Sequence, residues 1–389
     1  MKKLLLLSIS AMMSLGAMAQ VETPTLTQDW EITDGLPAAG NARWGAAFGG
    51  KFYLNEKTTG FYSYSAENGT KTTIEGVNVG GTGFNFDGVG NAILSNVFGS
   101  STANRPLTMT NFILWNAETK ATSELILSEE LLTTLNFTTD RMDLIGRGAG
   151  NIFSEEGGAF FLANGKSGGD YKILKLYIAN GSVDATKTKL IDCPATSDNG
   201  TIVIALTNDP ESDDVVYRHR SNYNGKYGQF QYFNGTKWVA YVDANPKPNA
   251  SAGGDIVKLG DVLFTIEPAG TNYYNGWQIV ERVNNMVVAS VAENADSSYK
   301  NTNIYGTVLS AEKVSDTKAY IYQYHNGMYI RKYTFEIPEN YKSILTAIES
   351  VEVAAGAVEY YNLQGVKVAN PENGLFIKKQ GNKVSKVIL

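Results

Sequence analysis

Apolar and polar positions alternate along this chain in runs of four to eight residues, and most runs end in a glycine- or asparagine-containing turn. That period of two is the pattern of half-buried β-strands joined by hairpins. The runs recur in a fixed order. A glycine-led apolar segment opens each unit: Gly45 in RWGAAF, Gly83 in TGFNFD, Gly150 in AGNIFSE, Gly200 in NGTIVIALT, Gly254 in GGDIVKLG and Gly306 in YGTVLSAEKV. A second run follows (KFYL, NAILSN, GAFFLAN, VVYRHRS, DVLFTIE, AYIYQYH). A third comes next (GFYSYSAENG, NFILWNAETK, YKILKLYIANG, GQFQYFNG, GWQIVERVNN, GMYIRKYTFEI), and most units add a fourth, such as WVAYVD or MVVASVAEN. The later leaders stand about 50 residues apart, a spacing in the range of propeller blades. The longer interval from Gly83 to Gly150 holds SEELLTTLNFTTD, a helical or irregular insertion.

Four antiparallel strands per unit, with small residues where inner strands crowd together, predict an all-β chain: a six-bladed β-propeller over 20–343. The sixth unit stops after its third strand at Pro338, whereas LTQDWEI, centred on Trp30, has no unit of its own. The N-terminal strand is therefore expected to complete the sixth blade and close the ring, leaving only short edges. Two β-sandwiches in tandem are the alternative. Residues 344–357 read as a linker and 358–389 as a small C-terminal β tail with strands in VEYYNL, LFIKK and KVSKVIL. A segment of that length forms too small a core to be very stable alone.

Residues 1–19 have the form of a signal peptide: Lys2 and Lys3, an apolar stretch from Leu4 to Leu15, and Ala17-Met18-Ala19 before Gln20. Export across the inner membrane is expected, to the cell surface or medium, with the periplasm as the alternative. No later run approaches the ~20 apolar residues of a membrane helix, so the mature chain is expected to have no transmembrane segment. Loss of Lys2 and Lys3 takes the net charge from −6 to −8, with +3 in the tail and −11 in the body. That acidity argues against a nucleic-acid partner. Cys193 is the sole cysteine, so no intrachain disulfide can form. Beside Pro194 it reads as a small buried hydrophobe.

Two resemblances refine this picture. FDGVGNAILSN and AGNIFSEEGGAFFLANG resemble the Asp-x-x-Gly-Asn and Gly-Gly-x-aromatic signatures of secreted bacterial propellers, which implies the fold and no activity. In the tail, Tyr361-Asn362-Leu363-Gln364-Gly365 leads to Val368, then Asn373-Gly374-Leu375-Phe376-Ile377, then Lys386-Val387-Ile388. This order resembles the C-terminal sorting domain of type IX secretion cargo, although that family's upstream Tyr-Pro-Asn-Pro strand is absent. The resemblance implies export machinery as a partner, passage across the outer membrane, and cleavage or attachment at the surface.

Candidate chemistry concentrates in the loops between second and third strands: NVFGSSTANRP, NGKSGGD, SNYNGKYG and PAGTNYYNG. Rigid aromatic faces beside adaptable amides are recognition chemistry. Tyr223, Tyr227, Tyr273, Tyr274 and Trp277 are placed to stack on sugar rings, Asn222, Asn224 and Asn272 to bond hydroxyls, and Arg105 and Lys226 to supply charge. The competing reading packs these tyrosines on neighbouring blades and leaves the amides to the turns. The expected function is that of an exported, non-enzymatic protein that binds a glycan or surface protein, without cofactor or metal. His219 and His325, the only histidines, lack zinc-site spacing. The acidic run Asp209–Asp214 lacks the glycine and terminal glutamate of a calcium loop. Gly165–Gly169 fits the Gly-x-Ser-x-Gly pattern but precedes a strand-like run, not the helix a nucleophile elbow requires. A polysaccharide lyase or glycoside hydrolase is the enzymatic alternative, with Arg147, Tyr217, Arg218, His219 and Asp255 converging at the centre. A structural surface component is the third possibility.

Overall fold

The computed structural model describes residues 23–56, 60–77, 83–95, 111–137, 145–163, 173–191, 201–205, 210–211, 215–219, 230–233, 238–241, 254–269, 275–294, 307–341, 358–362, 366–369, 371–372, 375–380 and 383–388. The expected signal peptide, Cys193, the Gly165–Gly169 loop and the linker at 344–357 lie outside them. The chain divides into two compact units, of which Thr23–Ile337 is the larger; the C-terminal sheet belongs to the other.

Strand β1 is Thr25–Ile32; β2 to β5 are Ala42–Phe48, Lys51–Glu56, Gly60–Ser65 and Lys71–Ile74. Strands β6 to β9 are Gly83–Phe86, Ala92–Ser95, Asn111–Trp115 and Thr122–Ile126, followed by the short helix α1, Glu129–Thr134. Strands β10 to β14 are Ala149–Gly150, Gly158–Ala163, Ile173–Ala179, Ser182–Val183 and Lys189–Ile191. Strands β15 to β18 are Thr201–Ala205, Val215–His219, Phe230–Phe233 and Trp238–Ala240, and β19 to β22 are Asp255–Leu259, Val262–Pro268, Trp277–Glu281 and Met286–Val291. Strands β23 to β25 are Thr307–Lys313, Lys318–His325 and Tyr329–Glu336. The tail holds β26 to β29: Glu359–Tyr361, Lys367–Val368, Leu375–Gln380 and Lys383–Ile388.

These strands form antiparallel sheets that follow the chain: β2-β3-β4-β5, β6-β7-β8-β9, β10-β11-β12-β13 with β14 also on β12, β15-β16-β17-β18, and β19-β20-β21-β22. The last sheet of the larger unit runs β1-β25-β24-β23, so the first strand pairs with the last one. The tail sheet runs β27-β26-β28-β29. The insertion expected after β9 contains α1, which Ser128 caps by accepting from the Leu131 N–H. One inner strand is shorter than its sequence suggests. The apolar run AGNIFSE stays in strand only to Gly150, because Gly150 has φ +74 and Asn151 accepts the Phe153 N–H through its own side chain. Asn151 N–H then donates to Gly157 O at 3.0 Å, closing a turn where a ladder was expected.

Successive sheets bury their faces on one another. Tyr53 and Phe61 pack with Phe84, Phe86 and Leu94 between the first and second of these sheets. Ile93, Phe112 and Leu114 meet Phe160, Leu174 and Leu176 between the second and third. Strand β11 lies against β15, and Phe230 packs with Ile256. Phe264 meets Phe335, and Trp277 meets Tyr333, edge to face. Finally Tyr322 and Tyr324 pack on Phe52, Leu54 and Tyr64, which brings the last sheet onto the first. The strands of facing sheets must approach closely for this. A Cβ on Gly45 would fall 2.4 Å from Phe52, whose ring is itself stacked on Tyr322 at 5.2 Å.

The pairing of chain ends is reinforced by side chains. Strand β1 runs along β25 from Thr25 opposite Glu336 to Ile32 opposite Ile330, with a bulge between Gln28 and Trp30. The extra residue at that bulge is Asp29, which accepts from Lys332 Nζ at 2.5 Å and Thr334 Oγ1 at 2.7 Å. Lys332 is buried and sits over the Tyr320 ring at 3.7 Å. Glu31 pairs with Arg331, and Trp30 Nε1 donates to Ala66 O at 3.0 Å, tying β1 to the first sheet as well.

Asp29→Ala strands the buried Lys332 ammonium and is expected to lower unfolding free energy by about 1–3 kcal/mol, reduced from a fully buried pair because Asp29 is partly exposed. Asp29→Ala/Lys332→Met should recover part of that loss; urea unfolding of both variants measures it. Gly45→Ala should cost about 1–3 kcal/mol in the same assay, since Phe52 cannot yield without leaving Tyr322.

Candidate functional site

Strands β2, β6, β19 and β23, from four sheets, and the segment before β10 line a cavity of about 50 Å³ whose walls include Trp44, Asn85, Arg147, Asp255 and Ser310. By the measure that one water needs roughly 10–15 Å³, the space admits a few waters or one small polar group.

Arg147 crosses between elements distant in sequence. Its Nη2 donates to Asp255 Oδ2 at 2.8 Å and to Ala311 O at 2.9 Å. The flanking glycines anchor the segment that carries it: Gly146 N–H donates to Phe161 O at 2.7 Å and Gly148 N–H to Phe86 O at 2.8 Å. Asp255 opens β19 and is almost fully enclosed. Besides Arg147, its oxygens accept from Ile256 N–H, Ala311 N–H and Ser310 Oγ at 2.7, 2.7 and 3.2 Å. Ser310 Oγ in turn accepts the Ala47 N–H at 3.0 Å. Asn85 spans to the next sheet by donating to Ile145 O at 3.1 Å. With four donors, the Asp255 carboxylate is fully engaged in these bonds. Arg147 is different: Nη2 makes both of its bonds, its side chain is 31% exposed, and its Nε–H and Nη1 hydrogens have no partner among the described residues. Trp44 lines the same cavity and is partly buried against the cluster of Tyr53, Phe84 and Phe86. Glu312, whose carboxyl burial pushes up, also feels Arg147 but accepts the Gly50 N–H on both oxygens, at 2.9 and 3.1 Å.

A second buried carboxylate explains the FDGVGN motif. Asp87 Oδ1 accepts the Val89 and Asn91 N–H groups, and Oδ2 accepts Asn91 Nδ2 and the Ile152 N–H, at 2.9–3.0 Å throughout. Asn91 continues the chain of bonds to Asn151 Oδ1 at 3.1 Å. Burial pushes the Asp87 pKa up while these donors pull against it. The motif is thus a latch between the second and third sheets.

Asn222, Tyr223, Asn224, Lys226, Tyr227, Asn272, Tyr273, Tyr274 and Arg105 lie outside the described residues, so their geometry is not part of this site's description. Trp277 is described and is corrected: it is fully enclosed, donates from Nε1 to Gln323 Oε1 at 3.1 Å, and meets Tyr333 edge-on. An indole committed to the core on both faces cannot stack on a sugar. Of the enzymatic set, Arg147 and Asp255 come together. Tyr217, Arg218 and His219 lie on β16, opposite Val203, Ile202 and Thr201, with side chains outside the description. His325 is buried, bonded to Thr307 Oγ1 at 2.8 Å and stacked on Tyr329. From the acidic run, Glu211 pairs with Lys187 at 2.7 Å and accepts from Tyr177 Oη at 3.1 Å, a surface contact between sheets.

The sequence matches no protein-family profile and no curated relative. Among solved structures, the fold is similar to that of a DUF4623 family protein from Bacteroides eggerthii, with TM-score 0.51 and 11% identity, covering 82% of this chain and 77% of that one. Weaker likenesses are to auxiliary nutrient binding proteins from Bacteroides ovatus (TM-score 0.48, 13% identity, 81% and 77% covered) and Bacteroides thetaiotaomicron (0.47, 12%, 82% and 79%). At these identities the first likeness speaks to fold alone. This chain is an all-β protein of successive antiparallel, mostly four-stranded sheets.

Removing Arg147 should expose what the bridge contributes. Arg147→Met leaves Asp255 charged and enclosed, and is expected to cost about 2–4 kcal/mol. Asp255→Asn alone should also destabilise, and the Arg147→Met/Asp255→Asn double variant should lose less than the sum of the two. A double-mutant cycle by urea unfolding reads the coupling directly.

Proposed function

We propose that the six sheets of Thr23–Ile337 are the blades of one propeller, and that the protein is an exported binder of a glycan or surface protein. The observation that carries this reading is the partly exposed Arg147, which with Trp44 lines a cavity walled by strands of four sheets. Asp255 opens β19 opposite Ile266, near the end of β20, so the second strand of that sheet leaves at the same end of the sheet. There Ala269 N–H donates to Gly276 O at 2.7 Å, pinning both feet of the loop that contains Asn272, Tyr273 and Tyr274. Antiparallel pairing thus supports one face that combines the tyrosine-rich loops with the cavity. Concave sites with few convergent polar groups are the usual form of a recognition site.

Export belongs to the same proposal. The first nineteen residues act as the signal, and the tail, whose described strands form an antiparallel sheet, acts as an outer-membrane sorting address. Among the described residues no helix is long and apolar enough to cross a membrane.

On a glycan array, the full mature chain should bind a restricted set of sugars, and the Tyr223→Ala/Tyr273→Ala/Tyr274→Ala variant should lose at least tenfold in affinity. Stacking worth about 1–1.5 kcal/mol per site is enough for that. Unchanged binding by the triple variant would remove the loop face from the reading. N-terminal sequencing of the exported protein should begin at Gln20.

A further inference from the structure

We infer that the cavity beside Arg147 takes the carboxylate of an acidic sugar, a uronic acid unit whose ring lies on Trp44. This inference rests on the recognition face proposed above and adds its ligand chemistry.

Asp255 is satisfied by four donors, and its charge is committed to holding β19, β23 and Arg147 together. Ser310 is occupied by Ala47 and Asp255, and Asn85 by Ile145 and the Phe86 N–H. Glu312 is bound to Gly50. Among the described residues, the charged group at the cavity with bonding capacity to spare is Arg147, whose Nε–H and Nη1 hydrogens have no partner and which lines a space of about 50 Å³. A guanidinium with free N–H groups in a confined polar space selects a planar oxygen anion, because charge-assisted bonds are the strongest available to it. The space fits a carboxylate and little else, so the remainder of the ligand must lie outside. Trp44 also lines the cavity and, although packed on one side against the Tyr53–Phe84–Phe86 cluster, is only partly buried; an indole face receives the C–H surface of a pyranose ring. An acidic peptide side chain would satisfy Arg147 equally but makes no comparable use of a flat aromatic wall.

The test uses the full mature chain with oligogalacturonate, its methyl ester and a glutamate-rich peptide as probes, read by calorimetry at low and physiological salt. Oligogalacturonate should bind, its methyl ester should bind about 10- to 100-fold more weakly, and binding should weaken with added salt. Arg147→Met/Asp255→Asn, which removes both charges together, should show the same loss while retaining a cooperative melt. Trp44→Ala, which leaves the bridge intact, should lose about tenfold as an independent check on the sugar ring. Equal binding of acid and ester, wild-type binding by the folded double variant, or binding of the peptide alone would overturn the inference. Failure of oligogalacturonate with intact, tyrosine-dependent binding of neutral glycans would overturn it while leaving the proposed function standing. Absence of binding to these probes and to every sugar of the glycan array would overturn the inference together with the glycan reading on which it rests.

Discussion

The pairing of β1 with β25 is the constraint on which the larger unit depends. Each sheet covers its neighbour's apolar face, so a sheet lacking its outer strand would leave part of two interfaces in water. In the last sheet, the Tyr322 face packs on Phe52 of the first sheet, while Gln323 and Phe335 reach Trp277 and Phe264 of the fifth. Trp30 and Ile32 complete the first of these interfaces from β1. A chain with a single cysteine has no covalent means of joining its ends. It uses a strand, a bulge that offers Asp29 to Lys332, and an indole hydrogen bond to Ala66. Such a contact separates residues about 300 positions apart, so it forms only when nearly the whole larger unit is present.

Close approach of the inner strands has a second consequence. Backbone groups near the meeting point cannot all find ladder partners, and polar side chains bridge them. Ser310 serves β2 and β23, Asn85 serves the segment before β10, and Asp255 serves β19 and β23. Arg147 balances the one enclosed carboxylate in this group and has hydrogen-bonding capacity left over. The same residue that Asp255 requires for its charge is therefore the one on which the proposed ligand contact rests.

Much of the strand order was legible because glycine-led runs and turn signals repeat at near-constant spacing. The short fourth runs were legible too, down to the orphan strand around Trp30. Gly150 misled the reading of β10, since it closes that strand at φ +74 as well as being crowded by Gly157 O, 2.5 Å from where a Cβ would stand. Trp277 misled for a different reason: Asn275-Gly276 reads as a loop, but the residue after it enters β21 with its ring inside the core. Arg147 and Asp255 could be nominated as charged residues near strand starts, yet their bridge spans 108 residues and no local pattern encodes it. Ser310, a hydroxyl set between the apolar Val308-Leu309 and Ala311 of β23, was the available signal for a polar contact there. The Asp87–Asn91 motif was visible, and its partner Ile152 was not, because the bond crosses sheets.

Native-state hydrogen exchange on the full mature chain tests the closure most directly. If β1 is an integral strand of the last sheet, its hydrogen-bonded amides should exchange with the same opening free energy as those of β24 and β25, through a shared cooperative unfolding. Exchange of the β1 amides orders of magnitude faster than their β25 partners would show a fraying terminal segment, and would contradict the account.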